Sequence, residues 1–369
     1  MRAVVAGGGI LGTWHALELC RAGYAVSHLE ADAAPQGASV RNFGLIWVSG
    51  RRTGAEFDAA RRSRHRWAEI ATDIPGLGFR PTGSLTVACT DGERKVMEEF
   101  ADHPDATVRS ISFLEPDEVV ALNPAVQGDI VGGLHCEVDA VVEPRQVLRA
   151  MREHLSARGS YAFHPGCRVV GLDDHAVIDV TGTRWEADLV VIATGSAFDH
   201  LPGTDAVASQ LRRVRLQMLE TEPFSHALTT SVADADTLRY YPAYGVVPLD
   251  PLGDQGPVAV AHHLQLLVVQ RADGGLTIGD THAYDEPFDF DLAEEPTTEL
   301  LARAEKILGR PVPGIARRWE GVYAQCTDDG VCAREELRPG VFMVTGPGGR
   351  GMTCSPAIAA DTMTAAGVR

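Results

Sequence analysis

Gly7, Gly9 and Gly12 stand in the spacing GxGxxG, and an acidic residue, Glu30, ends the apolar segment that follows. Each residue type has a physical use in that pattern. The first glycine makes a tight turn, the second lets main chain approach a pyrophosphate, and the third allows a helix to pack closely. Ile10 and Leu11 then open a helix whose positive end favours phosphate oxygens. A carboxylate at Glu30 can hold ribose hydroxyls and would repel an added 2′-phosphate. The pattern predicts a dinucleotide site. A second group of residues could face a substrate. Arg350, within GPGGRGMT, offers a guanidinium fork suited to a carboxylate or phosphonate, and Arg52 and Arg334 are further candidates. A structural ion pair is the rival reading of Arg350. Tyr240–Tyr241 and His262–His263 lie on strand-like segments, where alternation would turn one member of each pair inward. Tyr241 and His263 are the members expected at the site, the histidine to tune a substrate's protonation near neutral pH. Packing in the sheet is the competing use of both.

These residues need a scaffold that the apolar patterning supplies. Residues 3–6 read as a strand, TWHALELCRAG as a helix stopped by Gly23, and Tyr24–Leu29 as a second strand, which together make a βαβ start. DLVVIATGS (188–196) is an unbroken apolar run, as a parallel strand covered on both faces requires. Residues 55–71 read as a helix whose Arg61, Arg62, Arg64 and Arg66 form a solvated face balanced by Glu56, Asp58 and Glu69. Strand candidates RRVRLQMLET, AVAHHLQLLVVQ and GLTIGDTH are separated by Pro- and Gly-rich turns, which favours an antiparallel second domain. The fold class is therefore α/β (α+β overall), a Rossmann-like domain beside a mixed, largely antiparallel sheet. The expected division is 1–82, 143–209 and 318–369 for the nucleotide domain, and 83–142 and 210–317 for the substrate domain.

Composition narrows the partners. The chain has 369 residues and a net charge of -17, which disfavours nucleic acid and anionic membranes. Seven cysteines without CxxC spacing suggest free thiols in a reducing compartment and support neither zinc nor a disulfide framework. No apolar run has the length of a membrane span, and the opening MRAVVAGGG reads as a strand rather than a leader. A cytoplasmic protein is expected.

Three separated strings point to one family. GASVRNFGLIW (37–47), VVIATGS and GPGGRGMTCSPAIAAD resemble, in that order, the cofactor-binding segments of the D-amino-acid oxidase superfamily, which includes glycine and sarcosine oxidoreductases. The resemblance implies FAD, with Ser39, Arg41, Asn42 and Gly44 in the segment that wraps the cofactor. It places Thr194 and Gly195 beside it, with Val169 in the strand preceding them. Gly349, Arg350, Gly351, Met352 and Thr353 would approach the pyrimidine end of the ring, and Trp47 and Met352 would pack beside it. RRSRHRW, VRLQMLET, VVQRADGGLTIGDTHAY and RWEGVYAQC extend the resemblance to a group associated with bacterial phosphonate breakdown. Cys326 and Arg350 depart from the residues common in that group. Gly321, two positions before Tyr323, stands where flavin-linked sarcosine oxidases have a cysteine, so noncovalent FAD is implied. The implied activity is hydride removal from the amine-bearing carbon of a small, possibly anionic amine, with oxygen or another electron acceptor as the second partner. An NAD-dependent dehydrogenase and a noncatalytic flavin-binding subunit are the alternatives.

Overall fold

A computed structural model describes residues 1–368. Its first layer is a six-stranded sheet in the order Ala333–Arg338, Val341–Thr345, Leu189–Ile192, Arg2–Ala6, Ala25–Leu29, Tyr161–His164. Every neighbouring pair is parallel except the Ala333–Arg338 edge. The central strand Arg2–Ala6 is buried from Ala3 onward because both of its faces are covered. Ala3 and Val5 pack with Trp14, Leu17 and Ile358 on the helical side. Val4 and Ala6 pack with Val169, Val177 and Ala187 on the other side. That second cover is a three-stranded antiparallel sheet, Val169–Asp173, Ala176–Asp179 and Arg184–Glu186.

The second layer is an eight-stranded sheet ordered Ile315–Cys326, Leu211–Pro223, Gly275–Gly279, Leu267–Gln270, Ser231–Ala233, Ser84–Ala88, Gly132–Cys136, Ile111–Leu114. It is antiparallel apart from the Ser231–Ala233 and Ser84–Ala88 pair. Alternation divides its residues between two tasks. Leu219, Val268 and Ile278 pack beneath helix Glu294–Leu308, in a cluster with Leu300 and Ala304. Leu216, Met218 and Leu267 face the opposite way and line a cavity.

Two expectations are corrected. Ile315–Cys326 pairs with Leu211–Pro223 from Cys326↔Leu211 to Ile315↔Thr221, so the boundary expected at 318 falls inside a strand of the second sheet. Its pairing with Leu211–Pro223 runs through that position, with a bulge between Glu220 and Thr221. LRYYPAYG (238–245) and VAHHLQ (260–265), read as strand-like, fall instead on or just after short helices: Thr237–Tyr240, Pro242–Val246 (3-10) and Pro257–His262. Pro242 and Pro257 begin the latter two, where a missing N–H costs no intrahelical bond.

The two layers are bound by side-chain hydrogen bonds. Asp139 accepts from the Val48 and Ser49 amides and from the Ser49 and Ser84 hydroxyls, at 2.6–3.0 Å. A fully buried carboxylate is thereby given four donors.

Candidate active site

The glycine turn is built by close approach of main chain. Gly7 has φ +116°, and a Cβ on it would stand 2.2 Å from the Ala193 carbonyl oxygen. A Cβ on Gly12 would lie 1.9 Å from the Gly7 carbonyl oxygen. Only glycine fits either place. His28 fixes the turn from below, its Nε2 2.9 Å from the Gly7 oxygen and its Nδ1 2.8 Å from the Tyr161 hydroxyl. Burial lowers its pKa to about 4, so the ring is neutral.

Glu30 stands over the turn. Its Oε2 accepts from the Gly8 amide at 2.8 Å and its Oε1 from the Asp32 amide at 3.0 Å. Ser39 Oγ accepts from the Ile10 amide at 2.9 Å, which brings the segment after Gly37 onto the start of the first helix, Ile10–Arg21. Asn42 Oδ1 accepts from the Gly44 amide at 2.7 Å, and its Nδ2 donates to the Ala38 carbonyl at 2.8 Å. The Arg41 guanidinium donates to the Gln36 and Glu320 carbonyls and so ties this segment to the second sheet.

A cavity of about 720 Å³ begins at this turn and ends between the two layers. Gly7, Gly9, Ile10, Leu11, Glu30, Ser39, Arg41, Asn42, Val169, Thr194, Gly195, Gly349, Arg350, Gly351 and Met352 all line it. The structure thus unites segments that are far apart in sequence. Gly12, Gly44 and Thr353 lie behind its wall. Gly44 has φ +69°, and a Cβ there would stand 2.1 Å from the Val142 carbonyl oxygen. Thr353 Oγ1 accepts from the Trp47 amide at 2.9 Å and donates to the Leu45 carbonyl at 3.3 Å.

The substrate-facing candidates fare differently. Tyr241 lines the cavity, stacked on Trp47 at 5.6 Å between ring centroids. Tyr240 lines it as well, because the bend into Pro242 replaces strand alternation. His263 does not line it. It follows helix Pro257–His262 with φ +44° and borders a separate hollow of about 180 Å³. Arg350 lines the cavity, but its Nε donates to Pro347 O, its Nη1 to Glu56 and its Nη2 to Gly330 O, at 2.9–3.0 Å. It therefore forms the structural ion pair that was its rival reading. The buried Arg51, also on the cavity wall, lies 3.9 Å from the other Glu56 oxygen, so two guanidiniums share one carboxylate. Arg52 pairs with Asp329 on the rim, whereas Arg334 bonds Thr362 and the Ile358 carbonyl and is not part of the wall.

Asp280, Gln265, His282 and Tyr323 were not singled out as site residues from sequence, yet all line the tyrosine-rich end. Tyr323 stood out only as the neighbour of Gly321. Gln265 and Asp280 flank the apolar strands Leu267–Gln270 and Gly275–Gly279, and His282 follows shortly after the second, so a polar residue beside a strand was the one available signal. Tyr240 and Tyr323 project toward the C-terminal glycine loop, with hydroxyls 3.9 and 3.8 Å from the place a Cβ on Gly349 would take.

A glycine turn beneath a buried carboxylate, opening into an aromatic chamber between two sheets, is the frame of a two-layer dinucleotide-binding protein. Residues 2–365 match the FAD dependent oxidoreductase (DAO) family, and the chain belongs to it. FAD is its cofactor, which sets aside an NAD-dependent dehydrogenase. The chain is 25% identical to glycine oxidase of Bacillus licheniformis over 338 residues, covering 88% of this chain and 81% of that protein. It is 25% identical to one subunit of the opine oxidase of Rhizobium meliloti over 238 residues, 61% of this chain and 64% of that protein's length. Among solved structures, glycine oxidase from Geobacillus kaustophilus superposes with a TM-score of 0.77 at 18% identity, over 97% of this chain and 93% of the other. L-Proline dehydrogenase from P. horikoshii gives 0.78 at 19% identity, over 100% and 94%. The α/β fold is that of these solved structures. Among the described residues, no helix is long and apolar enough to cross a membrane, and no cluster of metal-binding side chains occurs.

Proposed function

We propose that the chain oxidises the C–N bond of a small amine, and that aminoalkylphosphonates or their N-methylated forms are the substrate class. One observation carries the reading: a single cavity joins the glycine turn to a buried chamber holding Tyr240, Tyr241 and Tyr323. FAD supplies the hydride acceptor. The Gly7–Gly12 turn and the first helix would hold its pyrophosphate, Glu30 the ribose, and Val169, Thr194 and Gly195 the remaining nucleotide wall. The loop Gly349–Met352 would meet the pyrimidine end. Gly321 offers no thiol for attachment, so the cofactor is held without a covalent bond.

The chain's own task is to orient the amine and exclude water. Once the bound ammonium has released a proton to water, the nitrogen lone pair forms C=N as the substrate carbon loses a hydride. Water then adds to the imine, and C–N cleavage releases a carbonyl compound and an amine, while the two electrons pass on to oxygen or another acceptor. The phosphonate assignment draws on the sequence resemblance and on the Arg51–Glu56–Arg350 group, whose two cations over one anion favour an anionic tail nearby. An acidic chain whose seven cysteines are all free suits the reducing cytoplasm.

Anaerobic addition of aminoalkylphosphonates, N-methyl amino acids and primary amino acids to the purified yellow protein tests this. Bleaching of the flavin band by the phosphonates supports the full proposal. Bleaching by amino acids alone removes the phosphonate, and no bleaching by any amine removes the activity. The match to one subunit of an oxidase favours one second reading, a flavin-bound component without turnover of its own, and retained colour without bleaching would select it.

A further inference from the structure

The inner end of the cavity is walled by Tyr240, Tyr241, Gln265, Asp280, His282 and Tyr323. Among these six, Asp280 supplies the only carboxylate. It is 6% exposed, and no arginine or lysine of the described residues lies within ion-pairing distance of it. Its Oδ2 is 3.7 Å from His282 Nε2, too long for a hydrogen bond, and its Oδ1 is 3.4 Å from Gln265 Nε2. Burial pushes its pKa up, opposed by His282 and Gln265. A carboxylate so placed without a cation is unfavourable in the folded protein alone.

Neighbouring polar atoms are also incomplete. Gln265 Oε1, the Tyr323 hydroxyl and Trp47 Nε1 are buried with no well-formed hydrogen bond, although Tyr323 lies beside Tyr240. Gln265 is 2% exposed, so bulk water does not complete it. The remaining surface is aromatic. Tyr240 meets Tyr241 edge-on at 5.0 Å and stacks on His282 at 4.5 Å. A buried anion, an unpartnered amide oxygen and several ring faces are together the complement of an alkylammonium. A carboxylate or phosphonate at the same place would be repelled. The cationic side of the chamber lies across Tyr241, where the Arg51 guanidinium carbon is 5.7 Å from that ring's centroid.

We propose that Asp280 and Gln265 Oε1 recognise the substrate's ammonium group, with the tyrosine rings enclosing its N-alkyl substituents and any anionic tail directed past Tyr241 toward Arg51. The chamber selects its ligand by positive charge at the nitrogen end and accepts methylated nitrogen. This rests on the amine reading above and adds which end of the cavity holds which charge.

Tetramethylammonium chloride, which has no oxidisable C–H beside a nitrogen lone pair, and tert-butanol, a neutral probe of similar shape, separate charge from size. Both are titrated into the flavin-loaded protein by calorimetry at matched ionic strength. The cation should bind at least about 30-fold more tightly than the alcohol. Asp280→Asn should lower cation affinity by roughly 10-fold or more while changing the alcohol by less than about 2-fold. Gln265→Leu should weaken the cation by about 5-fold. Equal affinity of the wild type for the two probes overturns the proposal, as does an unchanged cation affinity in a flavin-loaded Asp280→Asn protein. Should neither variant fold, the wild-type pair still decides. Amine bleaching without a cation preference defeats this inference and leaves the activity standing; a cation preference without bleaching does the reverse.

Discussion

The two halves of the cavity are built by opposite means. At the nucleotide end, backbone geometry dominates: Gly7 and Gly12 allow carbonyl contacts that any Cβ would block, and Glu30 braces the turn through two amides. At the tyrosine end, side chains from separate strands and turns are held with their polar atoms incompletely bonded. Buried ionisable groups differ as well. Behind the first half, His15 and His28 are held neutral, with pKa values lowered to about 4, chiefly by desolvation. In the second sheet, away from the cavity wall, desolvation raises Asp234 to about 6, against its ion pair with Arg303. A cofactor shared by a family can be gripped by main chain, whereas a particular substrate requires side chains that vary.

The sharpest way to break this contrast is at the turn. Gly12→Ala should prevent folding of the nucleotide half, seen as lost soluble protein and lost far-ultraviolet signal, because backbone at 1.9 Å has nowhere to move. Gly9→Ala should fold but retain less flavin, since its Cβ meets only Ser39 Oγ, at 3.1 Å, beside the cavity. A folded, flavin-loaded Gly12→Ala protein would contradict the assignment.

Acid should affect the halves in opposite senses. For His15 and His28 the unfolded chain takes up protons below the ordinary pKa of 6.5, while the folded chain resists until about 4. Their contribution is therefore complete above that upper value and is lost as pH falls to the lower one, about 3 kcal/mol each. Asp234, raised from 3.8 to about 6, instead disfavours folding as pH rises through that interval. Urea melts of wild type and His28→Gln between pH 4 and 7 measure the difference; equal pH slopes would remove His28 from the account.

Arg350→Ala should destabilise by about 3 kcal/mol, because Glu56 is 5% exposed and keeps only the longer Arg51 contact. Adding Glu56→Gln should restore part of that loss in denaturant melts. The smallest effect belongs to Arg52→Ala, whose rim pair with Asp329 is half exposed and should contribute less than about 1 kcal/mol. A larger loss would mean that the rim is structurally coupled to the chamber.

Glycine spacing, the strand before it and Glu30 were legible from sequence because they are local: neighbouring residues make the turn, and each residue's chemistry states its use. The unbroken apolar run at Leu189–Ile192 was equally plain, since a strand covered on both faces tolerates no polar residue. His263 was misplaced because adjacent histidines in an apolar context resemble a strand, while Pro257 begins a short helix instead. Arg350 drew notice for its position in a glycine loop, but no local pattern reveals a partner as distant as Glu56.

The amino-acid order by itself determined that a dinucleotide turn exists and that two layers share the chain, while FAD was implied by the resemblance of three ordered segments to a known family. Only tertiary structure decided which side chains face the cavity. Strand pairing and the bend at Pro242 bring Tyr240, Gln265, Asp280 and Tyr323 into one chamber, where Gln265 Oε1 and the Tyr323 hydroxyl are buried without a hydrogen-bond partner. Those contacts join residues far apart along the chain, where sequence spacing carries no distance.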